Sequence, residues 1–285
     1  MHDSAMPALD RLHNAADTMH LRLFTVDAPR LEAGRWSKQH VRSAYWRFYR
    51  NEDDGAYIVL PENGGERFPL QAGRVYFVPA EVHFSCGNDA PFRHFYVHFD
   101  VVGLPRLTMR SLFGGPVALP HDTDFEEQIA AFARQVRASP LLDLGTQCRA
   151  KALIYEGFAR HLDTLSPEER AAGLRLATEL EPVAPAIRHI ETRLSETLPV
   201  AELAALCCLS PDHFARRFKG CVGQTPLAYI TERRITRAAQ QLLFTHDGLD
   251  AIALSCGFGT REYLTRVFTR AVGIPPAAYR KSGRL

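Results

Sequence analysis

The sequence predicts an α+β chain of two domains: a strand-rich N-terminal part that closes as a β-barrel or sandwich with trailing helices, and an all-α C-terminal part. Three observations point there. From Leu21 to Val101, short apolar and aromatic runs alternate with clusters of Gly, Pro, Asn and Asp, the pattern of strands joined by turns. After Pro120 the apolar period changes from two to about 3.6, the period of helices. Near the C-terminal end, a helix-turn-helix pattern occurs twice.

Taken in order, residues 1–20 read as a loosely packed arm. They lack the basic-then-apolar order of a secretory signal, and no apolar run approaches the ~18 residues of a membrane helix, so a cytoplasmic protein without membrane contact is expected. Strands are predicted over residues 21–28, 41–50, 55–61, 68–82 and 92–101. Strand alternation sets His94, Tyr96 and His98 on one face and Phe95, Val97 and Phe99 on the other. In residues 41–50 it sets Ala44, Trp46 and Phe48 against Tyr45, Arg47 and Tyr49. Aromatic walls with a few polar groups suit a small-molecule pocket, and Trp46, Tyr76, His83 and His94 are its candidate residues, with plain core packing as the alternative for Trp46 and Tyr76.

Residues 122–139 predict a helix burying Phe125, Ile129, Phe132 and Val136, with acid enriched in its first turn. Residues 144–165 predict a second, aligned on Cys148, Ala152, Tyr155, Ala159 and Leu162. Residues 166–184, with two prolines and a charged run, read as a linker with a short helix in its middle, between an N-terminal domain at 1–165 and a C-terminal domain at 185–285. A helix over 185–197 opens the latter, using Ile187, Ile190 and Leu194. A long helix over 227–245, with Ile235, Ala238, Ala239 and Leu242 on one face, lies between the two repeats.

The repeat itself is specific. Phe214, Arg216, Phe218, Gly223, Pro226 and Tyr229 each stand fifty positions before Leu264, Arg266, Phe268, Gly273, Pro276 and Tyr279. The first helices are offset by forty-nine, so the second turn carries one extra residue. Recognition helices are predicted to begin near Pro211 and Thr260. With Phe214, Phe218, Leu264 and Phe268 inward, the outward residues are Asp212, His213, Ala215, Arg216 and Lys219 in the first, and Arg261, Glu262, Thr265 and Arg266 in the second.

Gly257-Phe258, Arg266-x-Phe268, Gly273 and Pro276-x-x-Tyr279 resemble the DNA-binding domain of the AraC/XylS family of bacterial transcription regulators, over about residues 183–281. Cys208-Leu209 stands where that pattern often has Gly, and Thr269 where it often has Lys. The resemblance implies that Asp212, Ala215, Arg216, Arg261, Glu262, Thr265 and Arg266 occupy base-reading positions on double-stranded DNA. Two rigidly joined recognition helices can enter successive major grooves ~34 Å apart. Arg216, Arg261 and Arg266 have the chemistry to bond guanine in two places, Ala215 to touch a thymine methyl, Asp212 to accept from cytosine or repel phosphate, Lys219 to meet phosphate, and Arg217 to meet phosphate or stay a solvated charge. Arg234 is assigned a structural or backbone role.

More loosely, Phe68-Pro69-Leu70, Gly73, Val75 to Pro79, His83 and His94 to Phe99 resemble the cupin-like ligand-binding half of many AraC relatives. The resemblance implies a regulator, an activator first, whose DNA occupancy follows a small effector such as a sugar. It also implies RNA polymerase as a partner and a homodimer joined through the helices after Pro120, with plain packing of those helices on the sheet as the alternative.

Charge agrees with that division. Residues 182–285 hold 14 Lys and Arg against 8 Asp and Glu, a net +6, whereas residues 1–181 carry −4, so a polyanion suits the C-terminal part alone. Six cysteines without a C-x-x-C spacing read as reduced, buried structural thiols. No nucleophile elbow, phosphate-binding loop or carboxylate pair marks an enzyme, and no cofactor or metal is expected. His94 and His98 supply two imidazoles from one strand without an evident carboxylate, which leaves a metal-dependent cupin enzyme fused to a DNA-binding module as one alternative. A ligand-independent DNA-binding regulator is the other.

Overall fold

The computed structural model describes residues 19–42, 44–61, 64–102, 106–139 and 143–283. The chain divides into two compact parts, one formed by Leu21–Val101 with Met109–Ala172, the other built mainly of the residues from Gly173 on, with Val102–Thr108 grouped to it.

The N-terminal part contains strands β1 (His20–Asp27), β2 (Arg30–Leu31), β3 (Lys38–Arg42), β4 (Trp46–Asn51), β5 (Ala56–Val59), β6 (Arg67–Leu70), β7 (Val75–Val78), β8 (His83–Asn88), β9 (Phe92–Val102) and β10 (Val117–Ala118). One sheet has the order β1-β9-β4-β7-β10, with β2 also on β9, and the other β3-β8-β5-β6. Tyr49, Tyr76, Val78, Phe92 and Tyr96 of the larger sheet share a core with Ala56, Ile58, Leu70, Phe84 and Cys86 of the smaller. The result is a sandwich, and no closed ring of strands forms among the described residues, so the barrel form of the expectation is not what the chain adopts.

Residues 41–50 are not one strand. The chain leaves the small sheet after Arg42 and enters the large one at Trp46. Alternation cannot reveal such a corner, because side chains keep their period of two on both sides of it. Every residue of β4 except Arg50 is buried, since its two faces meet different layers.

The second face of the large sheet is covered by helices α1 (Arg106–Phe113), α2 (Thr123–Ala138) and α3 (Leu144–Thr164). Asp122 caps α2 by accepting the Phe125 N–H at 2.8 Å, and Phe125, Ile129, Phe132 and Val136 are buried as their spacing predicts. Phe132 meets Phe95 edge-on, while Phe113 and Phe158 pack on Trp46 and Phe77. A Cβ at Gly157 would stand 3.0 Å from the Phe77 ring, so the glycine lets α3 lie close to the sheet. The buried face of α3 is Thr146, Ala150, Ile154, Gly157, Phe158 and His161. The expected stripe through Cys148, Ala152, Tyr155 and Ala159 faces outward instead. Both stripes have helical spacing, and small residues at the true contact hid it from an apolar reading.

The predicted linker is largely helix: α4 spans Pro167–Glu179, followed by a single 3-10 turn at Glu181–Val183. Beyond it come α5 (Ala184–Thr192), α6 (Val200–Leu206), α7 (Pro211–Val222), α8 (Pro226–Phe244), α9 (Leu249–Ser255), α10 (Arg261–Val272) and α11 (Pro276–Gly283). Ile187, Ile190 and Leu194 join Leu203, Phe214, Phe218 and Ile230 in one core. Glu191 of α5 and Arg233 of α8, both buried, form a two-pronged ion pair at 2.6 and 2.9 Å, and the Tyr229 hydroxyl donates to the same carboxylate at 2.9 Å. Not all cysteines are buried: Cys86 and Cys256 are, but Cys148 and Cys208 are exposed, and all six are free thiols.

Candidate nucleic-acid interface

The two repeats build the same local structure. Each first helix, α6 and α9, has seven residues, and each second helix, α7 and α10, has twelve. The intervening turns begin alike. Cys208 N–H bonds the Ala205 carbonyl and Leu209 N–H that of Ala204; Gly257 and Phe258 repeat these bonds to Leu254 and Ala253, all at 2.8–3.0 Å. Cys208 and Gly257 are both left-handed, with φ of 55° and 77°. The extra residue of the second turn is Gly259, also at positive φ. Ser210 then stands before Pro211, and the Thr260 hydroxyl caps α10 by accepting the Tyr263 N–H at 3.2 Å. Gly223 and Gly273, at φ 83° and 88°, end the second helices by donating to Lys219 and Thr269 carbonyls at 2.9 Å.

Phe214, Phe218, Leu264 and Phe268 are fully buried, which fixes the outward faces. Asp212, His213, Arg216, Arg217 and Lys219 are exposed on α7, with Ala215 half-buried between them. Thr260, Arg261, Glu262 and Arg266 are exposed at α10, with Thr265 half-buried. Each second helix thus presents three cations against one carboxylate, and that carboxylate sits in the first turn where the helix dipole favours it. Tyr263, absent from the sequence-derived set although its repeat-mate His213 is in it, is 42% exposed on the same helix, with the Arg266 guanidinium 5.3 Å from its ring centre.

The second turn is locked from behind by Arg234. Its side chain donates to the carbonyls of Leu194 at 2.9 Å and Glu196 at 2.6 Å, and a Cβ on Gly257 would overlap both the Leu194 oxygen and this guanidinium. The structural role read from the sequence is therefore a tie from α8 across to the segment after α5.

In the sandwich the four pocket candidates do not converge. Tyr76 and His94 are in the interior, but Trp46 packs on the helix side against Phe113 and Phe158, and half-buried His83 alternates out of register with the inward Phe84 and Cys86. Cross-strand pairing instead sets Arg47, Tyr49 and Asn51 of β4 beside His98, Tyr96 and His94 of β9. The buried Arg47 guanidinium lies over the Tyr45 and Phe84 rings at 4.3 and 4.9 Å. The Asn51 amide donates to the Leu70 carbonyl at 3.5 Å, so its oxygen accepts from His94 Nδ1–H at 2.8 Å. Burial pushes His94 down to about 3; burial first, then the charge of Arg47, holds His98 well below the usual imidazole value. Among the described residues no three His, Cys, Asp or Glu side chains gather as metal ligands would, and no helix is long and apolar enough to cross a membrane.

Residues 203–282 match a family described as a helix-turn-helix domain. The HTH-type transcriptional regulator Rv1931c of Mycobacterium tuberculosis is 47% identical over 83 residues, which are 29% of this chain and 32% of that protein. An AraC-like transcription regulator of Streptomyces antibioticus is 32% identical over 168 residues, 58% of this chain and 54% of that protein. The matches thus span about a third to a half of the length of these relatives. The crystal structure of ToxT from Vibrio cholerae O395 aligns with a TM-score of 0.51 at 9% identity, covering 93% of this chain and 98% of that one, a likeness of fold alone.

Proposed function

We propose, from the premise that the C-terminal part is an AraC-type helix-turn-helix DNA-binding domain, that the chain is a sequence-reading transcription regulator with an effector-binding sandwich. The observation that carries this is the pair of matched helices α7 and α10, each braced by two buried apolar side chains and each turning arginine outward. Arg216, Arg261 and Arg266 read base edges, while Arg217 and Lys219 hold phosphate and set orientation. Asp212, His213, Ala215, Thr260, Glu262 and Thr265 border these contacts.

The sandwich interior supports the effector site. Arg47, Tyr49, Tyr76, His94 and Tyr96 place polar groups among aromatic walls there, the mixture that orients a small molecule. Effector binding shifts the balance between states of different DNA affinity, and RNA polymerase recruitment follows, with activation as the output. The outward stripe of α3, with Leu144 and Tyr155 exposed beside Ala152, supports a homodimer contact.

The DNA reading is tested with Arg266→Ala and Arg216→Ala against the duplex that the protein selects from a random library. Each is expected to lose about 1–3 kcal/mol on the selected duplex and much less on a scrambled one. Equal losses on both duplexes would assign these side chains to phosphate.

A further inference from the structure

Tyr263 leaves a large aromatic side chain 42% exposed on the helix face that carries the arginines, more than core packing accounts for. The next residue, Leu264, is the one that fills the core and is fully buried. Tyr263 is anchored through its backbone and, on one side, through its ring. Its backbone N–H is capped by Thr260, and its ring meets that of Phe258, a buried residue of the turn, at 5.9 Å and 60°. On it rests the Arg266 guanidinium, 5.3 Å from the ring centre and within the range of a cation–π contact.

An exposed arginine samples many rotamers, and bonding two atoms of one base requires its fork of N–H groups to be presented in one plane. A cation–π contact fixes the guanidinium without consuming its N–H donors in hydrogen bonds. The first helix-turn-helix has Leu209 and His213 at the positions of Phe258 and Tyr263, so the Phe-Tyr support under the arginine belongs to the second.

We propose that Tyr263 is a positioning residue for sequence discrimination, holding Arg266 in the orientation that reads a base. This rests on the reading of Arg266 as a base contact. The protein itself supplies the probe: the full chain selects a preferred duplex from a randomised library. Its affinity for that duplex and for a scrambled one is then measured by fluorescence anisotropy for the wild type, Y263F, Y263L, R266A and Y263L/R266A.

Y263L is expected to lower the selected-over-scrambled affinity ratio about 2- to 5-fold, the scale of an exposed cation–π contact. Y263F, which keeps the ring, restores the ratio, and Y263L added to R266A lowers it no further. The proposal is overturned if Y263L weakens both duplexes equally, if its effect persists without Arg266, or if Y263F loses as much as Y263L. Those failures leave the DNA reading standing. A wild-type chain that enriches no sequence at all removes that reading and this proposal with it.

Discussion

Cys208 and Gly257 occupy one position in two copies of a turn, and only one of them suits it. At φ 55°, Cys208 carries a Cβ in the left-handed region, a conformation that costs an L-residue roughly 1–2 kcal/mol. Cys208→Gly relieves that strain against the entropy glycine loses on folding, and is expected to stabilise the domain by about 0.5–1 kcal/mol. Gly257→Ala does the reverse. It adds left-handed strain to an overlap with the Leu194 carbonyl and Arg234, an expected loss of about 2–4 kcal/mol. Urea titrations followed by helical circular dichroism check both signs. The outward positions of Arg216 and Arg266 were legible because phenylalanines and leucine at known spacing fix the opposite face. Tyr263 was not, because an aromatic beside a buried Leu264 reads as core until its exposure is seen.

Among the elements, α5 and α8 are joined by the Glu191 carboxylate, which takes bonds from both Arg233 and Tyr229 while buried. Glu191→Ala takes the paired carboxylate away from the buried Arg233 guanidinium, and is expected to cost about 3–5 kcal/mol in urea denaturation. Replacing Glu191 and Arg233 together by methionine is expected to recover most of that, which separates the pairing from the packing. This tie was invisible in sequence, since forty-two positions separate the two residues and each alone reads as a solvated charge. Helix α2 was legible because its apolar stripe is its buried stripe. In α3 the contact is made by Ala150, Gly157 and Thr146 beside Ile154 and Phe158, and a search for apolar side chains found the wrong face. The corner between β3 and β4 escaped for a third reason, as alternation carries no information about which sheet a strand joins.

For the whole chain, strands were legible in a period of two and helices in a period of about 3.6, whereas the sandwich was separable from a barrel only by strand pairing. Acid acts on the β-rich part through two of its histidines. His94 and His98 are held neutral in the sandwich, with folded values below the ordinary 6.5. Below about pH 6.5 the unfolded chain takes up protons that the folded one refuses, so stability falls on acidification and is regained as pH rises. The loss per imidazole approaches about 1.4 kcal/mol per pH unit, continuing toward pH 3 for His94. Both tryptophans, Trp36 and Trp46, lie in the N-terminal part, so their fluorescence reports its unfolding. The urea midpoint by that signal is expected to fall from pH 7 to about pH 5, more shallowly in His94→Gln.

Helix α8 is an uninterrupted rod of 19 residues, ~28 Å long at 1.5 Å per residue, and every bond from Arg233 and Arg234 depends on its phase. Gaining or losing one residue ahead of Arg233 would swing everything beyond it by about 100° and tear both ties. The domain therefore tolerates a change of side chain on the two outward faces of α7 and α10 more readily than a change of length in α8.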